Sequence, residues 1–192
     1  IEVYASEKGI VQNVLLRLTP GIDPHTYEAI STGKVDSKFG TAIETGQARE
    51  IVEYTLGLES VKLAGFHCHI GSQVFDSDTF FAASEIMLDF IADMKNEFGF
   101  SAEQLNLGGG YGVRYTEDDP TIDIAENIKT VSEHIKKKCA ERNIDIPKIL
   151  MEPGRSIAAD AGMTLYTVGS VKRIPGYKQY VAIDGGMTDN PR

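Results

Sequence analysis

Short apolar runs alternate with longer amphipathic stretches along this chain, and that alternation leaves few folds open. Apolar runs at 14–18 (VLLRL), 61–67 (VKLAGFH), 105–107 (LNL) and 149–151 (ILM) recur about every 45 residues and read as strands. Between them Phe80, Ala83, Met87, Phe90, Met94 and Phe98 advance by three or four, as do Ile124, Ile128, Val131, Ile135 and Cys139. Each set predicts a helix with one buried stripe. A further helix is predicted over 44–56, and another ends near Lys8. Strands separated by helices define a parallel α/β architecture.

After Met151 the texture changes. Segments 164–171 (TLYTVGSV) and 180–183 (YVAI) are β-branched and aromatic, and Pro175-Gly176 between them reads as a hairpin turn. These strands predict a second, all-β domain that begins at Ala161. Four βα units cannot close an eight-stranded barrel, which needs about 250 residues. If the parent is a (β/α)8 barrel, residues 1–160 are expected to hold roughly its second half, followed by the start of a β domain over 161–192. The chain opens at Ile1 without a methionine and stops just after a dense motif, so it is expected to be a fragment of a longer protein.

The chain carries 19 basic and 28 acidic side chains, a net charge of −9, which argues against a nucleic-acid partner. The one dense basic run, Lys136, Lys137 and Lys138, falls late in a predicted helix and reads as a solvated face. No apolar run reaches the roughly 18 residues needed to cross a bilayer, and no signal-peptide pattern opens the chain, so a cytoplasmic location is expected. Cys68 and Cys139 lack any CxxC or Cys/His spacing. They are expected to be reduced thiols, and no metal site is expected.

In a parallel α/β protein the chemistry sits at the C-terminal strand ends. Those positions here hold Arg17, the run from His67 through Gln73, the run from Asn106 through Gly112, and Glu152-Pro153-Gly154-Arg155. Gly108, Gly109 and Gly110 would let backbone amides approach an anion closely, although a triple glycine alone is often only a tight loop. With Ser72 and Arg155 on neighbouring strand ends, a phosphate pocket becomes the better reading; a structural ion pair for Arg155 is the alternative. Glu152 leaves an apolar strand, so it needs a cationic or hydrogen-bonding partner, which could be structural or a protonated heterocyclic nitrogen. His69, next to Gly71 and Ser72, could pack internally or present its ring face to a flat ligand.

His69-Ile70-Gly71-Ser72, the 108–110 glycines, Glu152-Pro153-Gly154-Arg155 and the run from Asp184 to Arg192 together resemble the signatures of a known family. This is the fold type III, alanine-racemase-like decarboxylases that use pyridoxal 5′-phosphate, and within them the diaminopimelate decarboxylase group. Thr32-Gly33 and Lys38-Phe39-Gly40 belong to the same pattern, and the resemblance covers essentially the whole chain. It implies that His69 stacks on the pyridine ring and that Glu152 faces the pyridine nitrogen. It implies that Ser72, Gly108, Gly109 and Gly110, with the Pro153-Gly154-Arg155 turn, bind the phosphate and its surroundings. Arg155 and Arg192 would reach substrate carboxylates, and Arg17 would lie near the cofactor or brace the barrel rim. His67 is expected to pack inside the barrel without chemistry of its own.

The resemblance further implies a homodimer, and an activity that converts meso-2,6-diaminopimelate to L-lysine and CO2. The family's Schiff-base lysine and proton-donating cysteine are expected to lie outside these residues, leaving the chain inactive alone. Lys62 and Lys148 stand at strand starts, and Cys68 is not that cysteine. Decarboxylases of ornithine, arginine, D-amino acids or carboxynorspermidine, or a non-catalytic homologue that serves as a binding partner, remain alternatives. Arg192, as a receptor for a second carboxylate, favours diaminopimelate.

Overall fold

The fold is that of a computed structural model, which describes residues 1–22 and 37–189. It divides into two compact units, Ile1–Ile157 and Ala158–Arg192. In the first unit, strands β1 (Gln12–Thr19), β2 (Thr41–Ala42), β3 (Val61–His67), β4 (Gln104–Asn106) and β5 (Lys148–Leu150) form one sheet. Its order is β2-β1-β3-β4-β5 and every pairing is parallel. Helices α1 (Glu2–Lys8), α2 (Gln47–Leu56), α3 (Ser77–Phe98), α4 (Ile124–Glu141) and the short α5 (Arg155–Ala158) complete the unit. The expected α/β architecture is present, with helices α2, α3 and α4 each linking successive parallel strands.

The four predicted strands are all found, that over 61–67 with its expected bounds and the others shifted by a residue or two. A fifth, β2, was not expected, because two residues carry no periodicity to read. All four predicted helices form. Helix α3 starts where the Asp76 carboxylate accepts from the Thr79 amide at 2.8 Å, and it stops at Gly99, whose φ is +68°. Its buried stripe contains Phe80, Ala83, Met87, Phe90 and Met94 as expected. Fully burying each of the larger side chains contributes about 1.5–3 kcal/mol.

Helix α4 corrects one position of its stripe: Ile128 is exposed, and Asn127 takes the buried place beside Val131, Ile135 and Cys139. Asn127 is tolerated there because it is bonded on both sides. It accepts from the Tyr111 hydroxyl at 3.0 Å and donates to the Ser77 hydroxyl at 2.8 Å. Of the basic run, Lys138 does more than face solvent: it lies 3.0 Å from Glu85 of α3 and ties the two helices together.

One irregularity sets the phase of β3. Val14 pairs with Leu63 but Leu15 pairs with Gly65, so Ala64 is an extra residue, a β-bulge. Before the bulge Leu63 packs under the helices; after it Phe66 and Cys68 do. Were Ala64 an ordinary paired residue, simple alternation from Leu63 would send His67 into the helical layer. With the bulge, Phe66 takes the inward place and His67 turns to the opposite face.

The second unit holds the antiparallel pair β6 (Val168–Ile174) and β7 (Lys178–Ile183). The turn falls at Pro175-Gly176 as expected, with the Tyr177 amide donating to the Ile174 carbonyl at 3.0 Å. The first strand runs 168–174 rather than 164–171, because the turn fixes the register and the strand ladder spans only residues opposite 178–183. Among the described residues no helix is long and apolar enough to cross a membrane.

Candidate active site at the strand ends

Alternation divides each strand of the first unit between two faces. Leu18, Phe66, Cys68, Leu105 and Leu107 pack in the core beneath the helices, with Leu16, Ile149 and Met151 against them. The opposite face carries a polar row. Arg17 is the register partner of His67, His67 of Asn106, and Asn106 of Leu150, two residues before Glu152. Four adjacent strands thus deliver a guanidinium, an imidazole, a carboxamide and a carboxylate to one end of one face.

Glu152 is held at both oxygens. The Asn106 side-chain amide donates to Oε1 at 3.0 Å, and His67 Nε2 lies 3.3 Å from Oε2. The carboxylate is not buried as its exit from an apolar strand suggested; its side chain is 57% exposed, while that of His67 is 13% exposed. Burial, before any other influence, holds the His67 imidazole below its ordinary pKa, with the nearby Arg17 charge acting the same way and Glu152 opposing. His67 is therefore a neutral ring around neutrality, and it contacts the carboxylate. The expectation that it only packs is corrected on this point.

His69 lies past the end of β3, against the glycine loop. Its Nδ1 accepts from the Gly109 amide at 3.3 Å, which leaves the ring proton on Nε2 in the neutral form. Burial, then the charge of Arg17, lowers its pKa. The three glycines are required by close backbone approach. Gly108 has a φ of +71°, and a Cβ there would stand 2.7 Å from both the Cys68 carbonyl oxygen and His69 Nδ1. A Cβ on Gly109 would lie 2.2 Å from the Glu152 carbonyl oxygen, and one on Gly110 2.4 Å from that of Gly71. The Gly108 amide is taken by Asn106 Oδ1 and the Gly109 amide by His69. Among the described residues the Gly110 amide takes no hydrogen bond.

Arg155 opens α5 and reaches back to β3's loop. Its Nε donates to the Ser72 hydroxyl at 3.0 Å and its Nη1 to the Tyr115 hydroxyl at 2.6 Å. Among the described residues both partners are hydroxyls, so the structural ion pair considered for Arg155 does not form. Ser72 follows Gly71, which abuts Gly110, so a guanidinium, a hydroxyl and an amide gather there. That donor set suits a phosphate dianion. Pro153 touches the loop from below, its Cα 3.6 Å from a Cβ built on Gly109, while a Cβ on Gly154 would meet nothing within 4 Å.

Arg17 packs its guanidinium over the Phe39 ring at 4.8 Å, and the Thr19 hydroxyl donates to the Phe39 carbonyl at 2.7 Å. The Lys38-Phe39-Gly40 motif is thereby fastened to the end of β1. Thr32-Gly33 and Arg192 lie outside the described residues. Cys68 is fully buried and its thiol is pushed up to about 12 by burial, so it is an inert core residue. Lys62, paired with Glu103 at 2.7 Å, and Lys148 stand at the opposite strand ends. Sequence reasoning missed Asn106 and Tyr115. Asn106 stood inside a quoted strand-end run, and only its bonding partners distinguish it. Tyr115 lies in a loop without periodicity. Among the described residues no cluster of His, Cys, Asp or Glu could hold a metal ion.

A parallel α/β unit whose strand ends gather a guanidinium, a hydroxyl and glycine-loop amides beside a donor-held carboxylate suits a cofactor-binding domain. Residues 2–159 match the family described as pyridoxal-dependent decarboxylase, pyridoxal binding domain, and the chain belongs to that family. Its cofactor is pyridoxal phosphate, and the donors at Gly110, Ser72 and Arg155 together with the Glu152 carboxylate fit that group. Diaminopimelate decarboxylase of Bacillus subtilis (strain 168) is 46% identical over the whole chain, which covers 44% of that protein. That of Staphylococcus aureus (strain COL) is 43% identical, again over 100% of this chain and 44% of the relative. Among solved structures, diaminopimelate decarboxylase from M. jannaschii in complex with L-lysine superposes with a TM-score of 0.74 at 38% identity, covering 100% of this chain and 43% of that one. The Helicobacter pylori enzyme, also with L-lysine, gives a TM-score of 0.75 at 29% identity over 98% and 44% of the two chains. The chain therefore spans less than half the length of these relatives.

Proposed function

We propose that the chain is the cofactor-holding part of a decarboxylase that converts meso-2,6-diaminopimelate and a proton to L-lysine and CO2. What supports the substrate is the naming of relatives at 43–46% identity, together with L-lysine, the product of that reaction, in two structural neighbours. The observation that carries the reading is the strand-end set: Glu152 held by two donors, and Arg155 with Ser72 beside the 108–110 loop. When bound, pyridoxal phosphate takes up the electron pair left at the α-carbon as CO2 departs.

In this reading Ser72, Arg155 and the Gly110 amide hold the phosphate, with Gly108, Gly109, Pro153 and Gly154 shaping the corner. His69 lies against the ring face. Glu152 keeps a proton on the pyridine nitrogen, which is electrostatic preorganisation around developing charge. Arg17 braces the rim beside the histidines, and Arg155 and Arg192 receive substrate carboxylates. The lysine that anchors the cofactor and the proton-donating cysteine come from sequence outside these 192 residues, in a homodimer of the longer, cytoplasmic protein. The chain alone is then inactive.

Titrating the intact protein with pyridoxal phosphate tests the anion corner. Arg155→Ala is expected to weaken apparent cofactor affinity about 10- to 150-fold, since a charge-assisted hydrogen bond contributes about 1.5–3 kcal/mol. Arg155→Lys should recover only part, because an ammonium cannot reproduce the fork. Wild-type affinity in Arg155→Ala would remove the phosphate assignment.

A further inference from the structure

We infer that Asn106 is a positioning residue that fastens the Glu152 carboxylate to the glycine loop, so that one side chain sets both ends of the cofactor site. The inference rests on the reading above, in which Glu152 faces the pyridine nitrogen and the loop serves the phosphate. Asn106 is the last residue of β4 and is only 7% exposed. Its Oδ1 accepts from the Gly108 amide at 2.8 Å and its Nδ2 donates to Glu152 Oε1 at 3.0 Å.

The two contacts assign the amide's orientation. A backbone N–H must meet the oxygen, so the nitrogen faces the carboxylate. Turning the group over would set donor against donor and oxygen against carboxylate at once. The Glu152 amide also donates to the Gly108 carbonyl at 2.8 Å. Three hydrogen bonds therefore close a ring: Asn106 side chain to Glu152 side chain, Glu152 backbone to Gly108, and Gly108 back to Asn106. An otherwise exposed glutamate would sample many rotamers. Here its backbone and its side chain are both tied to one turn, and His67 steadies the second oxygen.

No other residue type meets these demands. Aspartate would keep the acceptor for Gly108 but set a second carboxylate against Glu152. Leucine would leave the buried Gly108 amide without a partner, and serine is too short to reach both groups. The position requires a carboxamide of this length, a demand that packing alone does not create.

The test is a double-mutant cycle in the intact protein with Asn106→Asp, Glu152→Gln and the pair. In the cofactor-free form Asn106→Asp should lower Tm, and adding Glu152→Gln should restore it, because the new amide can donate to the new carboxylate. In the loaded enzyme Asn106→Asp should lower kcat about tenfold or more, with a smaller change in KM and an altered cofactor absorbance. The double variant should stay as slow as Glu152→Gln alone. If Asn106→Asp does not fold, Asn106→Ser carries the same comparison of kcat with KM. Additive effects on Tm, or wild-type kcat and spectrum in Asn106→Asp, would overturn the positioning role. A wild-type protein that binds no pyridoxal phosphate would overturn the proposed function and the positioning role with it. The Tm cycle would then still report whether the contact exists.

Discussion

Replacing Gly65 by alanine should destabilise the protein by about 3 kcal/mol or more. A Cβ at this position would lie 1.9 Å from the Gln104 carbonyl oxygen, 2.8 Å from its carbon and 3.1 Å from its nitrogen, all backbone atoms of the neighbouring strand. Its φ of +153° adds strain for any side chain. Neither strand can yield cheaply, because Gly65 pairs with Leu15 on one side and Gln104 on the other. At about 2–4 °C per kcal/mol for a domain of this size, Tm should fall by roughly 6–12 °C. The damage should also reach the site, because the bulge beside Gly65 turns His67 toward Glu152. Gly162→Ala is the control: a Cβ there meets nothing within 4 Å, so its Tm should stay near wild type. Denaturation of both variants checks this, and a Gly65→Ala protein within about 0.5 kcal/mol of wild type would contradict the strand geometry.

Glu152→Gln should separate turnover from folding. The side chain is more than half exposed, and a glutamine can still accept from Asn106 while its own amide faces His67, whose neutral ring can move its proton to Nδ1. Stability and cofactor occupancy should therefore change little. The lost element is the negative charge opposite the pyridine nitrogen, for which about 3 kcal/mol, or roughly a hundredfold in kcat, is the expected cost. Steady-state kinetics with cofactor occupancy read spectroscopically provide the check. Unchanged kcat with the cofactor in place would remove Glu152 from the chemistry.

The helices and strands were legible because burial on one side repeats with the period of the element. Phe80 through Met94 and the apolar strand cores carry that signal in their own spacing. What escaped depends on pairing between distant segments. The extra residue at Ala64 comes from how β3 meets β1, and nothing in VKLAGFH marks which residue is unpaired. β2 is too short to show alternation. Asn127 occupies a place that spacing assigned to Ile128, because Tyr111 and Ser77 satisfy its amide from elsewhere in the chain. The strand-end residues were legible as a set, since glycine, hydroxyl and charged groups following apolar runs are costly without a purpose. Their partners were not: that His67 and Asn106 hold Glu152 follows from cross-strand register, which the bulge itself determines.

The most direct test of the whole account is CO2 release from meso-2,6-diaminopimelate by the intact protein, measured with and without added pyridoxal phosphate. Release is expected to require the cofactor, to yield L-lysine in equal amount and to fall about a hundredfold in Glu152→Gln. Absence of CO2 from this substrate by a protein that is folded and carries its cofactor, or release that persists after the cofactor is removed, would contradict it.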